Sequence, residues 1–232
     1  MQRPTSKNIC KRIEETLGIT LKSYDTPMAT NDHPETDDSG FLNAEDHSKY
    51  RMLVGSGQWA IILGRLDIMQ AVQTMSRFSS APKQGHLDRM LRIFGYLKNY
   101  PKYGIVFDNQ KHETPPVKHI EVNWDEQYPG AREELPDNMP VPKGNEAHIT
   151  CYVDADHAGD SITHRSRTGF LIYANSAPVY WMSKNQNSAE TSLFVSEFIA
   201  MKQCCEYLHG LCYKLRMMGI PFWLSAYVYE DN

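Results

Sequence analysis

The chain has 232 residues, 41% hydrophobic and 22% charged, the balance of a globular protein large enough to bury a sizeable core. A net charge of −4 argues against the basic footprint of a stand-alone nucleic-acid binder, and neither a signal peptide nor an apolar run near the roughly 20 residues of a membrane span is present. Five cysteines, odd in number and lacking a Cys-x-x-Cys pair, argue against a disulfide framework or zinc site and predict reduced, mostly buried thiols in an intracellular protein with no membrane partner.

Residues 1–107 read as a small helical region. Residues 31–47 form a polar, acidic connector within it. Asp38-Ser39-Gly40 spells the aspartic-protease tripeptide, but Thr36-Asp37 are polar where that motif needs an apolar strand, so the reading is set aside. Asp67 is placed to cap a helix presenting Ile68, Met69, Val72 and Met75. Leu87, Met90, Leu91, Phe94 and Leu97 fall at helical spacing from His86 to Lys98, and Asn99 and Pro101 end the run. Residues 1–100 carry thirteen Lys and Arg against eleven Asp and Glu, so this part is the better suited to lie along a phosphate backbone. Residues 108–147, rich in Pro, Glu and Asp, read as a linker or extended surface segment.

The pattern then changes. Residues 149–155, 168–174 and 177–183 have the β-branched and aromatic content of strands, with a hairpin turn at Ala174-Asn175-Ser176. Phe194, Phe198, Met201, Cys205, Leu208, Cys212 and Leu215 then step by four and three, one face of a helix of about six turns that packs on its own sheet. Gly219 and Pro221 end it, and 222–230 gives a fourth strand. The order βββαβ over 148–232 describes an α/β domain, a sheet covered by one long helix.

Three acidic residues stand where such a topology converges them. Asp154 and Asp231 lie at strand ends, and Glu197 lies near the start of the helix. A crossover between parallel strands brings both strand ends to one side of the sheet. Clustered carboxylates repel unless hard cations lie between them, and two Mg²⁺ or Mn²⁺ ions so held can cleave a phosphodiester. Glu190, seven residues before Glu197, would share its face if the helix continued that far. Asp156 and Asp160 read as loop and turn residues, Trp59 and Trp181 as core. Arg165 and Arg167 fit either phosphate contacts or a solubilised turn.

Tyr152-Val153-Asp154-Ala155-Asp156-His157-Ala158-Gly159-Asp160, Arg165-Ser166-Arg167-Thr168-Gly169-Phe170, Ser196-Glu197-Phe198-Ile199-Ala200-Met201 and Tyr229-Glu230-Asp231-Asn232 together resemble the ribonuclease H domain of copia-type LTR retrotransposon Pol polyproteins. Upstream, Tyr24-Asp25-Thr26-Pro27-Met28, Tyr50 to Ser56, Arg65-Leu66-Asp67-Ile68 and His86 to Lys98 resemble the end of that family's reverse transcriptase, a thumb- and connection-like region. The resemblance implies a ribonuclease H-like fold at 148–232 that hydrolyses the RNA strand of RNA–DNA hybrids during reverse transcription. Asp154, Glu197 and Asp231 would be its catalytic, metal-binding residues for two Mg²⁺ or Mn²⁺ ions. It also implies an upstream reverse-transcriptase palm as partner, and a cytoplasmic particle or the nucleus as location.

The match has gaps. The family's fourth acidic residue lies further downstream, so the ribonuclease H portion is expected to be truncated and inactive in isolation. His157 stands in place of a frequent Trp, Val195 of a frequent Glu and Leu66 of a frequent Pro. No polymerase Tyr-x-Asp-Asp occurs, and Tyr152-Val153-Asp154-Ala155 fails at its fourth position. The competing readings are a non-catalytic transposon remnant and, on the stripe of 194–215 alone, a helical adaptor.

Overall fold

The computed structural model describes residues 6–108, 110, 123–130, 136–221 and 226–231. Helices α1 (Ser6–Leu17), α2 (Ala44–Ile62), α3 (Met69–Ser76) and α4 (Gln84–Asn99) enclose a first hydrophobic cluster centred on Tyr50, Leu53, Val72, Met90 and Phe94. Asn43 starts α2 by accepting the Asp46 backbone N–H, with Glu45 and Asp46 placed favourably in the first, electropositive turn. Gly95 lets the chain at Lys22 cross α4 in contact. A Cβ at Gly95 would lie 2.0 Å from the Lys22 carbonyl oxygen, so any larger residue forces the two apart.

The helix over Met90 and Phe94 forms as its spacing predicts, but the capping role expected of Asp67 does not. Asp67 lies in the 3₁₀ turn Leu66–Ile68, and α3 begins behind Ile68 without a side-chain cap. Arg65 Nε and Nη2 donate to the two Asp67 carboxylate oxygens at 2.9 and 2.7 Å. That two-pronged, charge-assisted pair is stronger than a cap to a backbone amide, so it takes the side chain. Trp59, expected in the core, is half exposed on α2. Trp181 is partly buried against the first cluster.

A short helix, α5 (Trp124–Gln127), precedes the sheet. Strands β1 (Ile149–Asp156), β2 (Arg167–Ala174), β3 (Ala177–Asn185) and β4 (Tyr227–Tyr229) form one mixed sheet in the order β3-β2-β1-β4. The first three run antiparallel, and β4 is parallel to β1. Asn175, with φ of 55°, opens the two-residue turn that pairs Ala174 with Ala177, a conformation asparagine tolerates better than most residues. Of the fourth strand expected over 222–230, Tyr227–Tyr229 is present, while 222–225 lie outside the described residues.

One face of the sheet is covered by α6 (Leu193–Met217), whose Ala200, Cys204 and Leu208 pack on Cys151, Val153, Phe170 and Ile172 in the second cluster. The buried face is rotated from the expected stripe. Leu208 and Cys212 are buried, but Phe194 and Phe198 are 74% and 60% exposed, and Cys205 is exposed. The cause is size. Close approach of helix to sheet needs small residues at the contact, and Cys151 Sγ lies 2.9 Å from Cys204 Sγ. A helix apolar around much of its circumference offers the four-three spacing on more than one face. All five cysteines are free thiols and four are buried. The neighbouring Cys151 thiol, with burial, pushes the Cys204 thiol up.

The two clusters meet along the β1–β2 loop. Arg77 pairs with Asp160, Arg167 donates to Thr74 Oγ1 at 3.0 Å, and the Ser161 backbone N–H and hydroxyl both donate to Glu35 Oε1. Among the described residues, no helix is long and apolar enough to cross a membrane.

Candidate metal centre

β1 and β4 are in parallel register, Thr150 beside Tyr227, Cys151 beside Val228 and Tyr152 beside Tyr229. Two further residues along that register set Asp231 beside Asp154. Both strands end at the same side of the sheet, where the first turns of α6 arrive. One carboxylate oxygen from each of Asp154, Glu197 and Asp231 lies within 4.8 Å of the others. The structure thus brings together the three residues singled out in the sequence.

Their settings differ. Asp154 and Asp231 are exposed, whereas Glu197 is 5% exposed. Burial first, then the charges of Asp154, Glu230 and Asp231, push the Glu197 carboxyl above the usual range, against a backbone hydrogen bond from Ala155. Two unit charges at such a separation repel by on the order of 3 kcal/mol at an effective dielectric of 20. Glu197 Oε2 is buried and has no hydrogen-bond partner among the described residues. A buried carboxylate oxygen without a donor is costly, and three carboxylates carry no positive hydrogen of their own to offer it. A hard divalent cation satisfies oxygen donors of this type and number, so the residues present fit one.

Several neutral groups hold Glu197 in place. Gln186, 2% exposed at the end of β3, donates through Nε2 to the Ser196 carbonyl at 2.8 Å and to Thr168 Oγ1 at 3.2 Å. The Ser196 hydroxyl donates to the Leu193 carbonyl at 2.7 Å and lies 3.1 Å from His157 Nδ1. Gln186 was not visible from sequence. It breaks no alternation and belongs to no charged run, and only the meeting of β2, β3 and α6 gives it a purpose.

The remaining candidates separate. Glu190 lies before α6 begins at Leu193 and is no part of the cluster, so the helical continuation needed to align it with Glu197 does not exist. Asp160 is structural: its Oδ1 accepts the backbone N–H groups of Ile162 and Thr163, and it pairs with Arg77. Arg167 is half-buried, turned to Thr74 and Ser183, and burial draws its pKa down, so it is no solvated turn residue. Arg165 is exposed beside it on a cleft of about 390 Å³ that Arg77 and Asp156 also line.

The chain is 27% identical over 235 residues to the retrovirus-related Pol polyprotein from transposon RE1 of Arabidopsis thaliana, a match covering 99% of this chain and 14% of the polyprotein. Homologues at 26–27% identity over most of the chain are Pol polyproteins of copia-type transposons. A second, from transposon RE2 of the same plant, is 26% identical over 214 residues, 92% of this chain and 12% of that protein. The chain therefore spans about a seventh of the length of these polyproteins. The secreted RxLR effector protein 161 of Plasmopara viticola is also similar, 25% identical over 157 residues, 68% of this chain and 87% of the effector. No protein-family model matches the chain. No solved structure matches it.

Proposed function

We propose that this chain is the end of the reverse transcriptase (1–107), a tether (108–147) and a ribonuclease H-like portion (148–232) of a copia-type Pol polyprotein, and that the last portion serves hydrolysis of the RNA strand of RNA–DNA hybrids. The observation that carries this reading is the convergence of Asp154, Glu197 and Asp231 at the ends of parallel β1 and β4, with a buried Glu197 oxygen that has no donor among the described residues. Asp154, Glu197 and Asp231 would hold Mg²⁺ or Mn²⁺. Divalent ions bound by such carboxylates supply an activated water and charge stabilisation for the leaving 3′ oxygen.

The chain's own residues do the rest. The sheet fixes Asp154 and Asp231 side by side, and Gln186 and Ser196 fix the first turn of α6 and so the Glu197 backbone. A hybrid would be recognised by its A-like shape, phosphates and 2′-hydroxyls rather than by base edges. The upstream palm of the polyprotein would be the protein partner. The test is cleavage of a labelled RNA–DNA hybrid in Mg²⁺ by a polyprotein carrying this segment. Loss of cleavage with Asp154→Asn and with Glu197→Gln is expected, and cleavage that survives both substitutions removes the reading.

A second reading, a non-catalytic derivative of such a polyprotein, is favoured by one observation: the similarity spans 87% of a protein described as an effector. Under that reading the carboxylates bind no divalent ion tightly enough to change the protein's melting temperature.

A further inference from the structure

The cleft of about 390 Å³ between the helical half and the start of β2 holds charge that the carboxylate centre does not use. Arg77, Arg165 and Arg167 line it, together with Asp32, Glu35 and Asp156. Most of these charges are already matched. Arg77 pairs with Asp160, and Arg89 donates to both carboxylate oxygens of Asp32. Glu35 accepts the Ser161 backbone N–H and hydroxyl. The Asp156 carboxylate is folded onto its own loop, where a Cβ at Gly159 would lie 2.2 Å from its Oδ2. Arg165 and Arg167 are left, and among the described residues neither has a carboxylate partner.

Arg167 is the less expected of the two, because it is half-buried. A guanidinium presents five N–H donors, and here two neutral hydroxyls, Thr74 Oγ1 at 3.0 Å and Ser183 Oγ at 3.4 Å, accept from it. Burial first, then the Arg77 charge, draw its pKa down against Asp156 and Asp160. A partly desolvated cation without an anion is costly, and a planar guanidinium suits a phosphate through paired N–H donors. The strand register fixes where that cation stands relative to the metal centre. Val153 and Ala155 are buried under α6, so alternation sets Asp154 and Asp156 on the other face of β1. Arg167 lies directly across from Asp156, on that same face. From Asp154 to Asp156 the strand advances by about 7 Å, roughly the axial rise of two nucleotides.

We propose that Arg165 and Arg167 form a subsite for a backbone phosphate of a nucleic-acid strand, one or two nucleotides from the phosphate that lies at Asp154. The proposal rests on the reading that Asp154, Glu197 and Asp231 process an RNA–DNA hybrid. It adds where the strand runs: off the end of β1, over the start of β2 and into the cleft against the third helix. Arg167 supplies a fixed fork held by Thr74 and Ser183, and Arg165 supplies an exposed charge at the rim. No base edge is read there, so the subsite is indifferent to sequence.

The experiment is a titration of a fluorescein-labelled RNA–DNA hybrid with the 232-residue chain in EDTA, read by anisotropy over a range of KCl concentrations, with thermal melting alongside. Arg165→Gln and Arg167→Gln are each expected to weaken binding roughly three- to tenfold for any hybrid sequence, and to flatten the slope of log affinity against log salt by about one. Arg165→Lys, which keeps the charge, is expected to retain most of the affinity. Asp156→Asn, which removes the competing carboxylate, is expected to tighten binding. Lys202→Gln, which removes a charge from the solvated side of α6, is expected to bind as wild type does. Unchanged affinity and slope in both arginine variants overturn the proposal, as does an absence of hybrid binding by the wild type. An equal loss in Lys202→Gln reduces the effect to diffuse attraction and also overturns it. If only Arg167→Gln binds weakly, and it melts lower, Arg167 serves to join the two halves and the subsite falls. With no divalent ion present, these outcomes are independent of the hydrolysis reading, which falls separately if cleavage survives Asp154→Asn and Glu197→Gln.

Discussion

Arg77, the residue that ends the third helix just past Ser76, donates to Asp160 in the loop that follows the Asp154 strand, a contact across 83 residues of sequence. Asp160 is nearly fully buried, and its other oxygen accepts two backbone amides of its own loop. Burial pushes its carboxyl up, but the Thr163 amide and Arg77 outweigh burial and hold it at about 2. With the folded value below the unfolded one, this group stabilises the protein above about pH 4 and loses that effect as pH falls toward 2. Arg77→Ala is expected to cost about 2 kcal/mol near neutral pH. The gap between variant and wild type should narrow at pH 3. Equal urea midpoints at pH 7 would show that the pair does not couple the two clusters.

The long helix offers a direct comparison of its two apolar faces. Leu208→Asp buries an unpaired carboxylate against the sheet and is expected to cost several kcal/mol. Phe194→Ser acts on a side chain that is 74% exposed and is expected to stay within about 1 kcal/mol, as is Lys202→Ala, whose ion pair with Glu206 is solvated. Thermal melting of the three variants separates these outcomes. A large loss for Phe194→Ser would restore the aromatic stripe to the core.

That comparison also marks how far the sequence can be read. The succession of strands and helix, the Asn175 turn and the α4 stripe follow from local signals, because alternation, spacing and turn residues are written in neighbouring positions, whereas Asp154, Glu197 and Asp231 are singled out by the crossover topology and the family resemblance. The buried face of α6 is not legible locally, since two overlapping stripes satisfy the same spacing and the choice depends on what the sheet can admit against Cys151. Asp67 misleads for a similar reason. Its position suits a cap, and only the folded chain brings the Arg65 guanidinium to take both its oxygens. Gln186 is visible only once β2, β3 and α6 meet.

His86 gives the helical half a pH response. It is buried, stacked on Phe78 at 4.1 Å, and its Nδ1 accepts the Lys83 backbone N–H while Nε2 faces the Pro34 carbonyl. Burial lowers its pKa, and the nearby Arg89 and Lys83 add to that, against the Pro34 hydrogen bond and Asp37. A histidine protonated more readily unfolded than folded stabilises above about pH 6.5, and the effect is lost as pH falls through that value and on to the folded one. The melting temperature is therefore expected to drop between pH 7.5 and 5, and the drop should shrink in His86→Gln. A variant with the same pH profile as wild type would place the response elsewhere.

Gln186 connects fold to site through a single amide. Its Nε2 donates to the Ser196 carbonyl, one residue before Glu197, and to Thr168 on β2, while its Oε1 is buried without a partner among the described residues. Gln186→Ala leaves the Ser196 carbonyl and the Thr168 hydroxyl without that donor and opens space beside the first turn of α6. The loss of a buried hydrogen-bonding group is expected to cost roughly 1–3 kcal/mol. If Gln186 served packing alone, the effect would end there. Because the first turn of α6 carries Glu197, the variant is expected to weaken Mn²⁺ binding as well, by roughly 10- to 100-fold, the range seen when a group supporting a metal ligand is removed. Mn²⁺ titration at a temperature where the variant remains folded tests this, with Leu208→Ala as a control that loosens the same helix three turns away. Both variants should melt lower, and only Gln186→Ala should lose affinity. Equal Mn²⁺ affinity in the two would reduce Gln186 to a packing residue and leave Glu197 positioned by the helix alone.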